Sequence, residues 1–244
     1  MKSSTICQDW LESLPPTEGH LKNEQSIGRK FLLAKGMPSK KDEAWRLSNF
    51  NRLNSFLSLP IIINNKDFSS KLENIFPKKD KNRERIIIHP NENESININL
   101  PNGIEELNDK EIADNLGKIV KATDIENYIS VCLNQASSSK LLALKVKSNI
   151  NESLEIVIPS IEGKSISTRI LLLIEEGAKL DLLQVLLGKN NSAQNHLIEI
   201  KVESNVELKH GLISMGEEKE SSSISLSLSF SIPFGKLIFI IGFS

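Results

Sequence analysis

The residues of this chain that could do chemistry are few, and they lie far apart in the sequence. The two cysteines are Cys7 and Cys132, and there is no Cys-x-x-Cys motif, so neither a disulfide framework nor a cysteine-based zinc site is predicted. Cys132 falls in a stretch with helical spacing, where a free cysteine behaves as a small buried hydrophobe. Nothing near Cys7 would lower its pKa. We therefore expect both thiols to be structural.

The four histidines do not form a metal-binding motif either. None of His20, His89, His196 and His210 lies three or four residues from another, which is the spacing that brings two imidazoles to one helix face. His196 and His210 both fall among alternating apolar residues, and they could approach each other across neighbouring strands. We interpret both as structural or surface residues rather than ligands.

Two pairs of adjacent acids, Glu175-Glu176 and Glu217-Glu218, are candidates for acid–base chemistry. Glycoside hydrolysis uses two carboxylates that flank one bond. Because adjacent strand residues point to opposite faces, neither pair forms such a dyad, and solvated turns are the better interpretation. There is no Walker motif and no G-x-G-x-x-G loop, so ATP hydrolysis linked to this chain must come from a partner. No catalytic, cofactor-binding or metal-binding residue is assigned.

The segments that would position these residues show a repeat. The strings Val146-Lys147-Ser148-Asn149-Ile150, Ile174-Glu175-Glu176-Gly177-Ala178 and Val202-Glu203-Ser204-Asn205-Val206 begin 28 residues apart. Asn or Gly, the residues that adopt positive φ most easily, occupies the fourth position of each string. Apolar residues alternate between the strings, as a half-buried strand requires. A fixed period with extended segments predicts stacked strands joined by left-handed turns, as in a parallel β-helix.

Changes of pattern divide the chain into four regions: a helical region at residues 1–58, a mixed α/β region at 59–138, β-helix strands at 139–219 and an atypical Ser/Ile/Phe-rich tail at 220–244. In the tail the next repeat position is Pro233, so the repeat is predicted to be lost there. The predicted fold class is mainly β, an incomplete right-handed parallel β-helix preceded by the helical and mixed regions.

Helical spacing and capping signals place the helices. Residues 5–14 and 26–35 carry apolar residues on one face, and Gly36 follows the second helix where a positive φ is common. The Ser39-x-x-Asp42 string resembles a capping box at the start of a third helix. Residues 109–136 return to helical spacing.

The composition excludes some classes of partner. With 30 Lys+Arg, 31 Asp+Glu and a net charge of −1, there is no electrostatic reason to expect nucleic acid or an anionic membrane. The N-terminus lacks the apolar segment of a secretory signal. The apolar run at residues 237–241 is too short to span a bilayer. We therefore expect a cytoplasmic protein.

Five segments spread over most of the chain carry a family resemblance. They are Gly36–Arg46 (GMPSKKDEAWR) and residues 100–104 (LPNGI), 133–136 (LNQA), 169–181 (RILLLIEEGAKLD) and 195–218 (NHLIEIKVESNVELKHGLISMGEE). They resemble the SufB/SufD family of iron–sulfur cluster assembly scaffold proteins, and their order is closer to the SufD branch than to the SufB branch. Together they cover roughly residues 20–219. One departure is Leu47-Ser48, where the family usually has Tyr-Thr.

The resemblance implies a non-catalytic scaffold that works with SufB-like and SufC-like subunits, in a complex that assembles an iron–sulfur cluster. Family members run well beyond 244 residues, continue the β-helix and end in a helical domain that contacts SufC. On this ground we expect a truncated or frame-shifted chain that does not reach the residues implicated in cluster formation. Weak or absent association with SufB and aggregation of the isolated chain are then expected.

Two alternatives are a β-helix carbohydrate-active enzyme and an unrelated structural β-solenoid. An enzyme of this kind needs acidic or basic residues on one face of successive strands. The matching positions at the three turns are Lys147, Glu175 and Glu203, which do not form a consistent ladder. A carbohydrate-binding or turnover assay discriminates a carbohydrate-active enzyme from a non-catalytic scaffold.

Overall fold

A computed structural model describes residues 2–39, 41, 50–61, 78–88, 100–120, 129–216, 223–231 and 235–243. Within these ranges the chain is mainly sheet with some helices. The helices are α1 (Lys2–Ser13), α2 (Lys22–Lys35), α3 (Phe50–Ser58), α4 (Asp109–Asn115) and α5 (Ile129–Ser137), and a 3₁₀ turn at Gly19–Leu21 precedes α2. None of these helices is long and apolar enough to cross a membrane.

Ten strands within the described ranges form two five-stranded sheets. They are β1 (Glu84–Ile87), β2 (Ile104–Glu106), β3 (Lys140–Val146), β4 (Asn151–Pro159), β5 (Ser165–Ile174), β6 (Lys179–Leu187), β7 (Ala193–Val202), β8 (Val206–Met215), β9 (Ser223–Ser231) and β10 (Gly235–Phe243). Sheet A has the order β2-β3-β5-β7-β9, and sheet B has the order β1-β4-β6-β8-β10. Neighbours are parallel except for the pair β2–β3. From β3 onward, successive strands therefore alternate between the two sheets.

The 28-residue spacing in the sequence is the pairing register of both sheets. In sheet A, Val146 pairs with Ile174, and Ile174 pairs with Val202. In sheet B, Asn151 pairs with Lys179, which pairs with Glu207. The predicted stacking of the three repeated strings is confirmed.

The turns that leave sheet A have the predicted backbone conformation. Their φ angles are 57° at Asn149, 72° at Gly177 and 59° at Asn205. Backbone hydrogen bonds join the turns to one another: the Asn149 N–H donates to Glu176 O at 3.2 Å, and the Gly177 N–H donates to Ser204 O at 3.0 Å. The left-handed residue therefore recurs at the same place in three stacked turns.

Aliphatic side chains from both sheets form the main hydrophobic core, which we call the interior core. It includes Ile170 and Leu172 of β5 and Leu180 and Leu182 of β6, each at most 2% exposed. Alternate residues of each strand face this core because strand side chains alternate between the two faces of a sheet. Burial of such a side chain contributes roughly 1.5–3 kcal/mol, so the interior core holds the two sheets together.

A second apolar cluster lies outside sheet A, among four helices. Its buried members include Trp10 of α1, Leu32 of α2, Phe56 of α3 and Cys132 of α5. The strands contribute one buried side chain to this cluster, that of Ala193. We call α1, α2, α3 and α5 the helical unit, because they share this core.

Two contacts fix the geometry of the helical unit. A Cβ at Gly28 of α2 would lie 2.6 Å from the backbone nitrogen of Ala136 in α5, so only glycine permits this close approach of the two helices. After α3, the carbonyl of Pro60 accepts a hydrogen bond of 3.0 Å from the Ser165 N–H at the start of β5. The unit is thus attached through the backbone to the N-terminal end of β5, the central strand of sheet A.

The C-terminal tail extends both sheets. Ser223 of β9 pairs with Ala193 of β7, and Gly235 of β10 pairs with Val206 of β8. These partners are 30 and 29 residues apart, so the 28-residue period is lost as predicted. The β-helix strands are predicted at 139–219, and the parallel pairing continues beyond them into β9 and β10, because this pairing is made by backbone groups and tolerates a change in the length of a connection.

The predicted helices agree with the structure where it describes them. The helices predicted at 5–14 and 26–35 correspond to α1 and α2, and Gly36 has a φ of 73°. The segment with helical spacing at 109–136 contains α4 and α5, which are separate helices. The Ser39-x-x-Asp42 string continues, like most of the Gly36–Arg46 segment, outside the described residues.

Candidate functional site

The largest concentration of buried polar side chains lies between the helical unit and the outer face of sheet A. Residues of β5 and β7 on that face alternate with those of the interior core. We call this group the polar layer, and its members are Glu24, Asn134, Gln135, Ser137, Ser167, Arg169, Asn195 and Glu199.

Arg169 is the centre of the charged part of the polar layer. Its side chain is fully buried, and its Nη2 donates to the buried carboxylate of Glu199. The same nitrogen lies 3.4 Å from Oε2 of Glu24. Burial of charges costs free energy that is recovered only with good geometry and additional hydrogen bonds. One guanidinium therefore serves two carboxylates from different layers of the fold.

A glycine turn supplies some of those additional hydrogen bonds. The N–H of Gly117, just after α4, donates to both carboxylate oxygens of Glu199 at 3.0 and 3.1 Å. Gly117 has a φ of 74°, and a Cβ there would collide with the carboxylate of Glu24. Gln135 Nε2 donates to Glu24 Oε2 at 2.9 Å. The two carboxylates are thus held by groups from α5, β5 and the turn.

The neutral part of the polar layer joins α5 to two neighbouring strands. Asn134 Nδ2 donates to the carbonyls of Thr168 and Asn195 at 3.0 and 2.8 Å. The hydroxyls of Ser137 and Ser167 are 2.7 Å apart. Each bond is directional, so together they determine where α5 lies along sheet A.

Several atoms of the polar layer are buried without a hydrogen-bond partner among the described residues. They are Nε and Nη1 of Arg169, Oε1 of Gln135 and Oδ1 of Asn195. An unsatisfied buried polar group costs about 1–3 kcal/mol. These atoms therefore oppose the stabilisation that the hydrogen bonds of the polar layer provide.

His196 lies on the interior face of β7 and is fully buried. Gln194 Nε2 donates to Leu187 O at 3.0 Å, so Gln194 Oε1 accepts from His196 Nε2 at 2.9 Å. The other ring nitrogen, Nδ1, then accepts from Thr168 Oγ1 at 2.8 Å. Burial lowers the pKa of His196 to about 3. The imidazole is thus neutral, and both of its nitrogens are occupied by the protein.

The other predicted histidines lie elsewhere. His210 is buried on β8 in sheet B, and burial lowers its pKa to about 4; it does not share a sheet with His196. His20 is at the surface, with Nε2 3.6 Å from Asp109 Oδ1. His89 lies outside the described residues. In the described part of the chain, no group of three or more His, Cys, Asp or Glu residues could hold a metal ion.

Both cysteines are buried in the helical unit, and the interpretation of Cys132 as a small buried hydrophobe is confirmed. Cys7 is 3% exposed and Cys132 is fully buried. Burial raises the pKa of the Cys132 thiol to about 12 and also raises the pKa of Cys7. Neither sulfur is poised for nucleophilic chemistry, because the thiolate is the reactive form.

The first predicted acid pair lies in a turn. Glu175 Oε2 accepts from the N–H and the hydroxyl of Ser148 at 3.0 and 3.1 Å. Asn205 Nδ2 donates to Glu176 Oε1 at 3.4 Å. These acids bridge neighbouring stacked turns, which confirms the turn interpretation for this pair. The pair Glu217-Glu218 is outside the described residues.

A surface cleft of about 240 Å³ lies against sheet B. Its lining residues are Asn151, Lys179, Leu180, Asp181, Glu207 and Lys209. Lys179 Nζ is 3.1 Å from Glu207, and Arg83 Nη2 is 3.0 Å from Asp181. Because each acid already has a cationic partner, the cleft does not present the pair of free carboxylates that a glycosidase needs.

Comparisons with protein-family models, curated proteins and solved structures find no match to this chain. The feature with the most organised polar chemistry is the polar layer, which sequence reasoning missed. Its signal was a charged residue inside an apolar strand: Arg169 precedes a five-residue aliphatic run, and Glu199 lies between Ile198 and Ile200.

Proposed function

We propose that this chain is a non-catalytic scaffold subunit of the SufB/SufD type, nearer to the SufD branch, in the assembly of iron–sulfur clusters. The observation that carries the proposal is that three segments with the family resemblance meet in space. Asn134, of the segment at 133–136, binds the backbone carbonyl of Asn195. Arg169, of the segment at 169–181, pairs with Glu199 of the segment at 195–218. The contact of these three segments through buried polar groups supports a common origin of their resemblance.

We further infer that the two sheets are faces of a right-handed parallel β-helix. Successive strands alternate between the sheets, and the offset of 28 residues recurs in both. Stacked turns with positive φ at Asn149, Gly177 and Asn205 support the same architecture. The right-handed sense follows the strong preference of crossover connections between parallel strands. An experimental structure of the purified chain tests this inference directly.

In this proposal the iron–sulfur cluster is cargo of the complex. A SufC-like subunit supplies ATP hydrolysis, since this sequence contains no phosphate-binding loop of the Walker type. The stack of strands supplies a rigid surface to which a SufB-like subunit binds. The weak association with SufB expected from the sequence rests on truncation of the chain. Because β9 and β10 add one further strand to each sheet, we propose instead that the complex is stable.

Co-expression with the SufB-like and SufC-like proteins of the same genome tests the proposal. We expect the three chains to elute together from a sizing column, with a stoichiometric mass by native mass spectrometry. Recovery of this chain alone, folded and without either partner, would overturn the proposal.

Two adjacent leucines provide matched variants for this experiment. Leu172 is fully buried in the interior core, whereas Leu173 is half-buried on the opposite face of β5. Leu172→Arg should abolish the complex by disrupting the stack, because burial of an unpaired charge is prohibitive. Leu173→Arg should fold and retain both partners.

A further inference from the structure

The helical unit and the two sheets have separate hydrophobic cores. The cluster of the helical unit receives one buried residue, Ala193, from the strands. A second apolar contact lies beside α2, where Leu21 and Leu171 belong to a small cluster with α4. Between these two contacts, the unit meets sheet A through the polar layer.

An interface of this kind resembles a contact between domains, which is more polar than a core and permits relative motion. Buried atoms of Arg169, Gln135 and Asn195 without hydrogen-bond partners reduce its net stability. Within the helical unit, by contrast, α2 and α5 are in backbone contact at Gly28. The contact between the helices and sheet A therefore has the character of a boundary between two units.

We propose that the helical unit is a cover that opens from sheet A as one body, while both sheets stay folded. Cooperative units that open below the global unfolding free energy are common in proteins. The bond from Ser165 N–H to Pro60 O lies at the N-terminal end of β5, and the helical unit turns about this point. Opening breaks the bonds of Asn134 and Ser137 to the strands and exposes Arg169 and Glu199 to solvent.

Native-state hydrogen exchange of the whole chain tests this proposal. In the unmodified protein, the slowest amides of α2 and α5 should exchange at one common rate, at least tenfold faster than the slowest amides of β5 and β7. Equal protection of helices and strands would show a single cooperative unit and overturn the proposal.

A pair of variants separates opening from global unfolding. Ile198 is buried in the interior core, so Ile198→Val should speed exchange in β5 and β7 several-fold and leave α2 and α5 unchanged. Asn134→Ala removes two bonds across the polar layer and should speed exchange in α2 and α5 about tenfold. Two results would contradict opening as a body. One is that Ile198→Val speeds amide exchange in the helices and the strands by the same factor. The other is that Asn134→Ala leaves amide exchange in the helices unchanged.

Ser137→Ala is the milder companion of Asn134→Ala, because it removes one contact across the polar layer, with Ser167, and one bond within α5, to the Leu133 carbonyl. It should speed exchange in α2 and α5 about threefold. If Asn134→Ala does not fold, this variant decides the question by the same comparison of helix and strand amides.

Discussion

The interior core and the polar layer lie on opposite faces of the same strands. Ile170 and Leu172 of β5 face the interior core, whereas Ser167 and Arg169 face the helices. The interior core is stabilised by burial of apolar area, which is not directional. The polar layer is held by directional bonds between charged and amide groups. One strand can thus join the sheets by hydrophobic burial and determine the position of a helix by polar contacts.

The largest expected effect comes from the charged centre of the polar layer. Arg169→Met leaves the buried carboxylates of Glu24 and Glu199 without their guanidinium, which should lower the free energy of unfolding by about 4 kcal/mol. Urea denaturation followed by circular dichroism measures the loss.

The matched control for this variant is the double variant Arg169→Met/Glu199→Gln. It removes the cation together with one of the anions, so it should recover a large part of the lost stability. A double variant as unstable as Arg169→Met alone would show that the arginine acts through its packing rather than its charge.

The interior core should give the next largest effect. Leu172→Ala opens a cavity in a fully buried site and should cost about 3 kcal/mol of unfolding free energy. Leu173→Ala, on the half-buried opposite face, should cost about 1 kcal/mol. Equal losses in urea denaturation would remove the distinction between the two faces of β5.

Acid should weaken the interior core through its histidines. The folded pKa of His196 is about 3, below the ordinary 6.5, so the unfolded state binds more protons between these values and stability falls as pH drops below 6.5. The contribution of His196 to the free energy of unfolding is complete above pH 6.5, and about 2 kcal/mol of it is lost by pH 5. The measurement is urea denaturation at pH 7.5 and pH 5.

The variant His196→Gln isolates this contribution from other titrating groups. It should lose less stability than the unmodified protein over the same interval. His210, whose pKa is also lowered by burial, remains in the variant and should preserve part of the slope. An identical pH dependence in both proteins would mean that His196 is accessible to protons in the folded state.

The smallest predicted difference, about 1 kcal/mol, is between two glycine substitutions in turns. Gly177→Ala places a Cβ at positive φ and against the Asn149 side chain, and should cost about 2 kcal/mol. Gly163→Ala has a similar φ of 68° but meets no atom within 4 Å, so it should cost about 1 kcal/mol. Thermal unfolding measures both, and equal losses would show that the stacked turn accommodates the side chain.

The parts of the fold that sequence predicts are those that local pattern determines. Asn149, Gly177 and Asn205 mark turns because few other residue types accept positive φ, and alternation places Ile198, Ile200 and their counterparts in the interior core. The loss of the period in the tail is visible in the sequence, but the pairing of β9 and β10 is not, because they pair through backbone groups at offsets that the 28-residue period does not contain.

Such local patterns do not predict the polar layer. Glu24 comes from a helix of largely polar sequence, and Arg169 and Glu199 come from two apolar strands. The residues of the Glu24–Arg169 ion pair are 145 positions apart in the sequence. Only the packing of α2 onto sheet A brings them together. For His196, by contrast, the 28-residue period does indicate Thr168 as the neighbour on the adjacent strand, whereas the bond from Gln194 depends on side-chain geometry.

The location of the two thiols has a practical consequence. Cys7 and Cys132 are both buried in the helical unit, and the chain has no other cysteine. A colourless disulfide reagent that releases a chromophore on reaction with a thiol therefore reacts only when that part of the molecule admits solvent. The protein carries its own reporter, and the kinetics of modification can be followed in a spectrophotometer without an engineered label.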